Sequence, residues 1–311
     1  MPPMIRYFVG RLLWAVPTLL VIITAAFFLI RMAPGGPFDE EQTLPPAIKH
    51  NLEAAYGLDQ PLWVQYSRYL HGVVRGDFGP SFKYKDFSVT ELIAQGFPVS
   101  LTLGVIAILL ALMVGVPAGM YAALHQNTAG DHLVMLLAVI GITIPAFVVL
   151  PFLALIFGIR LKWLPVAGWE PGAARYYVLP VIALTLPPLA FIARLTRSSM
   201  IEVLGTAYIR TAKAKGMSQA AILWRHALRP ALIPVAGFLA PAVAAIMTGS
   251  LVVESISGLP GIGRYLVQGA LNRDYTLVMG MVVVYSALLI AMGLLVDLLY
   301  AWLDPRIRFQ S

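Results

Sequence analysis

The chain contains no cysteine. That absence excludes a disulfide framework, a cysteine-ligated iron–sulfur cluster, a thiolate zinc site and a cysteine nucleophile in one step. Charge is scarce as well: Asp, Glu, Lys and Arg make up 12% of the 311 residues, against about a quarter in soluble domains. No lysine follows a glycine, since Lys49, Lys83, Lys85, Lys162, Lys213 and Lys215 follow Ile, Phe, Tyr, Leu, Ala and Ala. A phosphate loop of the Gly-Lys-Ser/Thr kind is therefore absent. So is the His-Glu-x-x-His pattern of zinc proteases, and His50, His71, His125, His132 and His226 are scattered singly. The expectation is a chain with no catalytic residue, no metal site and no cofactor of its own.

Apolar residues are what the chain has in excess, at 59%. A helix crossing the hydrocarbon core of a bilayer needs about 20 of them in a row. Six runs of that order occur, at about 8–30, 99–124, 133–158, 177–193, 232–253 and 277–303. The first exceeds a signal-peptide core and is not followed by a small-x-small cleavage pattern, so it reads as a retained anchor. Prolines punctuate most runs (Pro17, Pro117, Pro145, Pro151, Pro187, Pro188, Pro234 and Pro241). Membrane helices tolerate them because neighbours re-satisfy the freed carbonyls. Gly115 and Gly119 form a G-x-x-x-G pair that permits close helix approach, read here as general packing rather than a dimer seam.

Lys and Arg in short loops set orientation. Assigning both termini to the cytoplasm places the whole net charge of +7 on that side and leaves the other neutral. Between the spans lie two larger segments. The outer one, 31–98, reads as a small folded cap: its stretch Gln60–Val74 carries Leu62, Tyr66, Tyr69, Leu70 and Val73 at helical spacing. The inner one, 194–230, is basic. Within it, Gly216 suits the left-handed position just past a helix end and Ser218 suits the N-cap of the next helix. The expected product is a cytoplasmic helix-turn-helix, either resting on lipid headgroups or docking into a partner protein.

This segment resembles the coupling region of binding-protein-dependent ABC importer permeases, whose pattern is E-A-A, three residues, G, nine residues, then I-x-L-P. Arg210, Thr211 and Ala212 occupy the first three positions, Gly216 the glycine, and His226 to Arg229 the last four; Ala212, Gly216 and Leu228 match literally. The form R-T-A-K-A-K-G is similar to the variant of peptide importers. Further segments resemble the same branch: APGGPF at Ala33–Phe38, YGLDQPL at Tyr56–Leu62, GDFGPSFKYKD at Gly76–Asp86, GLPGIG at Gly258–Gly263 and VDLLYAWLDPRIR at Val296–Arg308. TLPP at Thr43–Pro46 and GPSFKYKD look most like the B-type subunit of oligopeptide permeases.

The resemblance implies an all-α integral membrane protein, a single permease domain over 1–311 with the six helices of a type I ABC importer. The extracytoplasmic cap follows the first helix, and the cytoplasmic helix-turn-helix does the coupling. It implies a bacterial inner-membrane location and a heterodimer with a second homologous permease. Two nucleotide-binding ATPase subunits, holding ATP and Mg, and an extracytoplasmic peptide-binding protein complete the assembly. Arg210, Thr211, Ala212, Lys213, Gly216, Met217 and Ser218 are the residues it assigns to the ATPase contact. Oligopeptides are the implied substrate, with dipeptides, glutathione or nickel as alternatives in the same branch. No nucleic acid partner is implied.

Two rivals rest on the membrane acids. An aspartyl intramembrane protease needs two of them, and an ion-coupled carrier several; only Asp297 lies within a span. It shares a helical face with Ser286, Gly293 and Tyr300. Asp297 is expected to pair with a basic residue at the inner end of a neighbouring span, such as Arg194, or, as the alternative, to line the pathway with Ser286.

Overall fold

The computed structural model describes residues 3–32, 50–51, 53–54, 56–84 and 86–303. The segments Ala33–Phe38 and Thr43–Pro46, and the basic Arg306 and Arg308, lie outside them. Among the described residues the chain is helical, and its one β feature is an isolated bridge between Pro80 and Ser88. Five helices among the described residues are long and apolar enough to cross a bilayer, or six spans if one sharply bent pair forms a single span.

Helix α1 is Pro3–Met32 and α2 is Leu62–Arg75. Helix α3, Val89–Leu124, starts ten residues before the apolar run that marks it in the sequence. At 1.5 Å per residue it is about 54 Å long, well beyond the ~30 Å of hydrocarbon. The third apolar run is not a straight helix. It divides into α4, Ala129–Thr143, and α5, Ala146–Leu153, which continues through a wide turn over Ala154–Arg160; the two halves meet at 102°. The cause is Pro145: it disfavours helical backbone at the residue before it, and Ile144 accordingly sits at φ −90°, ψ 116°. Helix α6, Arg175–Leu204, outlasts its apolar run and carries Arg194 and Arg197 as helical residues. Then follow α7 (Ala207–Ala214), α8 (Gln219–Ile222), a wide turn over Leu223–Ala227, α9 (Leu228–Ala231), α10 (Ile233–Ser257), α11 (Ile262–Leu271) and α12 (Tyr275–Leu303).

The chain divides into two compact units whose boundaries fall inside α1, α3 and α12 and between α10 and α11. The first comprises residues 1–12, 101–259 and 289–311. Its centre is α6, the most buried of the long helices, against which α4, α5 and α10 pack. The G-x-x-x-G pair serves this packing: a Cβ on Gly115 or Gly119 would come within 3 Å of the α6 carbonyls of Leu189 and Ala193. Both glycines therefore seat α3 against α6 of the same chain, and no dimer seam is needed to explain them.

The second unit comprises residues 13–100 and 260–288. Ile23 and Phe27 of α1 pack with Tyr66, Tyr69, Leu70 and Val73 of α2 and with Met279 and Val283 of α12. The amphipathic stripe anticipated for α2 is thus real, except that Leu62 points outward. A second cluster joins Val89 and Leu92 to Ile262, Leu277 and Met281. The fully buried carboxylate of Asp274 caps α12 through the Leu277 N–H. It also accepts hydrogen bonds from Ser81 Oγ and from the Phe82 and Lys83 N–H groups. One acid thereby fixes both a helix start and the Ser81–Lys83 loop.

Candidate functional site

The basic segment after α6 folds by a sequence of local rules. Thr206 takes extended backbone (φ −71°, ψ 157°), and α7 starts behind it. At the other end of α7, Gly216 adopts φ +76°. The Gly216 N–H donates to Lys213 O at 3.0 Å and the Met217 N–H to Ala212 O at 3.3 Å. These are the paired bonds of a Schellman cap, which requires a left-handed residue between them. Ser218 then caps α8 by accepting the Ala221 N–H at 3.3 Å. The turn geometry anticipated for Gly216 and Ser218 is the geometry present.

Packing decides which side of α7 is free. Ile209 and Ala212 are buried in a cluster with Ala123, Met200, Ile222, Ala227 and Ala231, and Met217 closes against it. Arg210, Thr211, Lys213, Lys215, Gly216 and Ser218 are exposed on the other side. The seven candidate residues therefore separate: Ala212 and Met217 anchor the turn, while the remaining five face outward. No acid occurs between Glu202 and Glu254, so every charge this segment presents outward is basic. The wide turn has its own cause. Pro230 has no N–H to offer the His226 carbonyl, and that oxygen instead receives Tyr208 Oη at 3.4 Å.

The same segment also exposes two aromatics: Tyr208 is 46% exposed and Trp224 68%. The signal was present as a lone tryptophan inside a basic segment.

The acidic residue in the last span has a partner, but not the one anticipated. Arg11 Nη1 lies 3.0 Å from Asp297 Oδ2, joining α1 to α12. Arg194 is exposed, with its guanidinium over the Phe191 ring at 5.2 Å. The Asp297–Arg194 pair is thus replaced by Asp297–Arg11. The approach is one of charge to charge, since Asp297 Oδ2 has no hydrogen bond of good geometry. Ser286 is half-buried on α12, eleven residues before Asp297.

A stronger pair went unnoticed in the sequence. Asp131 of α4 is fully buried and accepts two parallel hydrogen bonds from Arg197 of α6, Nε to Oδ1 at 2.5 Å and Nη2 to Oδ2 at 2.6 Å. The Asn127 N–H adds a third at 2.9 Å. Such fork-to-carboxylate geometry fixes direction as well as distance. Among the described residues no group of three or more His, Asp or Glu is placed to hold a metal ion.

Two family models match the chain. One, described as binding-protein-dependent transport system inner membrane component, covers residues 115–309, and its N-terminal companion covers residues 4–104. The chain is 53% identical over 306 residues to the oligopeptide transport system permease protein OppB of Escherichia coli (strain K12), covering 98% of this chain and 100% of that protein. It is 48% identical over 308 residues to the dipeptide transport system permease protein DppB of Bacillus subtilis, covering 99% of each. Among solved structures it resembles a chain of the inward-facing MetNI methionine ABC transporter, with a TM-score of 0.57 at 16% identity, over 68% of this chain and 96% of that one. That likeness is one of fold.

Proposed function

The chain belongs to the binding-protein-dependent transport system inner membrane components, and from that membership we propose that it imports oligopeptides as one of two permease subunits driven by separate ATPases. The observation that carries the substrate class is the near full-length identity to OppB proteins. The similarity to DppB favours dipeptides as the second reading.

In this reading the chain performs no covalent chemistry and binds no cofactor. ATP and Mg reside in two nucleotide-binding subunits, and an extracytoplasmic binding protein delivers the peptide. Both termini and the Thr206–Ala231 turn lie in the cytoplasm, and the α2 cap lies outside. Arg210, Thr211, Lys213, Gly216 and Ser218 form the contact surface of a rigid knob seated in an ATPase subunit. Its buried side, Ile209 and Ala212, transmits the ATPase movement to Ala123 of α3 and Met200 of α6. Rigidity matters here, because a flexible loop would absorb the displacement instead of passing it on.

The test is reconstitution with the neighbouring permease, ATPases and binding protein in liposomes. Uptake of labelled tetra- and pentapeptides that depends on ATP and on the binding protein is the expected result. Uptake confined to dipeptides would favour the second reading. ATP-independent uptake driven by an ion gradient would overturn both.

A further inference from the structure

The cap-bearing unit contains a half-open cavity of about 280 Å³ that the transport reading does not use. Arg31, Arg68, Tyr69 and Asp77 line it together with the apolar Phe78 and Phe82. Arg31 is held in place from two sides. Its guanidinium lies over the Phe27 ring at 3.7 Å, and its Nε donates to Gln65 Oε1 at 3.0 Å. Gln65 is itself fixed by donating to the carbonyls of Leu58 and Gln60. After these bonds, and among the described residues, Arg31 Nη1 is buried with no acceptor, and so is Tyr69 Oη.

Two buried donors without acceptors, one of them cationic, leave a cost that an incoming acceptor would remove. Burial pushes the Tyr69 phenol up, against the opposing pull of Arg31, so the hydroxyl keeps its proton and donates. The wall carries two guanidinium groups and one carboxylate, which suits an anion of single charge. Its apolar part suits a short hydrocarbon stem. The volume admits one side chain or a small acid, whereas ligand pockets for larger molecules run from about 300 to 1,000 Å³.

We propose that this cavity is a carboxylate-binding site, with Arg31 and Tyr69 as the donors that a single carboxylate group on a short apolar stem would engage. The carboxylate comes either from a small free acid or peptide terminus, or from an Asp or Glu side chain of a protein docked on this unit. The proposal rests on the cavity alone and stands whether or not the chain carries peptides.

The test places 3-fluorotyrosine at position 69 of the full chain in nanodiscs and follows its ¹⁹F resonance. Sodium propionate, titrated at constant ionic strength against chloride, should shift the resonance saturably, and propionamide should not. Arg31→Gln should raise the propionate needed for half-saturation at least tenfold. Arg31→Lys, which keeps the charge and loses the planar fork, should give an intermediate value and guards against simple loss of folding. No shift, an equal shift with propionamide, or an unchanged midpoint in folded Arg31→Gln would overturn the proposal. A tripeptide acid that reproduces the shift, while its C-terminal amide does not, identifies a free terminus as the source. A shift produced by the binding protein alone identifies a side chain.

Discussion

Asp131 and Arg197 meet through two parallel hydrogen bonds of 2.5 and 2.6 Å, tying the start of α4 to α6. Removing one partner strands the other, and a stranded buried donor or acceptor costs about 1–3 kcal/mol, more when charged. Arg197 keeps 24% of its surface, so part of that cost is relieved. Asp131→Asn and Arg197→Gln should each lower the unfolding temperature of the detergent-solubilised chain. The double variant should lose less than the two singles together. Arg197→Lys should restore only part of the loss, because an ammonium cannot reproduce the fork. Additive losses would show the pair to be energetically idle.

Gly216 is expected to act through backbone conformation alone. A Cβ there would have no neighbour within 4 Å, so a side chain meets no obstacle. The penalty is that of holding an L-residue at φ +76°, about 1–2 kcal/mol. Asparagine tolerates this region and valine does not. Gly216→Asn should therefore retain most transport. Gly216→Val should leave ATP hydrolysis and uptake poorly coupled, read as a fall in peptides imported per ATP. Equal ratios in the two variants would remove the cap from the coupling mechanism.

The packing glycines make a separate test. Gly119→Ala must push α3 away from the Ala193 carbonyl and the backbone of Arg197, an overpacking worth about 1–3 kcal/mol. Gly293→Ala, with nothing within 4 Å, should be neutral or gain up to about 1 kcal/mol in helix propensity. Thermal unfolding of the isolated subunit compares them directly. The opposite order would place the close approach elsewhere.

The turn around Gly216 was legible because its rules are local: a glycine after a helical stripe, then a capping serine. The apolar runs located the long helices for a similar reason, since hydropathy registers solvent and little else. It does not register direction. Pro145 was visible, yet a run of apolar residues gives no angle, and the 102° bend follows from how Ile144 is forced out of helical backbone. Nor does it find helix ends that continue past the lipid: α3 begins at Val89 because Glu91 and Ser88 cap it reciprocally, Glu91 Oε2 accepting the Ser88 N–H at 2.8 Å. Asp131–Arg197 joins residues 66 apart in sequence, and only packing reveals which of several inner-end bases an acid meets.

Topology can be mapped with single cysteines, because the native chain has none. Ser81 is a poor reporter: it is buried and bonded to Asp274. Ser67 on the exposed side of α2 and Ala214 at the end of α7 are accessible instead. Ser67→Cys should react with an impermeant maleimide in spheroplasts, and Ala214→Cys only after the membrane is opened. The reverse pattern would invert the orientation derived from the basic loops.

Asp297 provides the sharpest test of long-range pairing. A carboxylate inside an apolar span costs a few kcal/mol unless it is paired or hydrated. Arg11 approaches to 3.0 Å, but it is 51% exposed and the contact lacks hydrogen-bond geometry. The pair should accordingly contribute less than Asp131–Arg197, nearer the 0–1 kcal/mol of an accessible ion pair. Two double-mutant cycles decide the partner. Arg11→Gln with Asp297→Asn should give a coupling energy above zero in subunit stability, and Arg194→Gln with Asp297→Asn should be additive. Coupling in the second cycle and none in the first would restore Arg194 as the partner. If Asp297→Asn abolishes transport while stability and both cycles stay flat, the carboxylate serves the pathway and its bond to Arg11 is incidental.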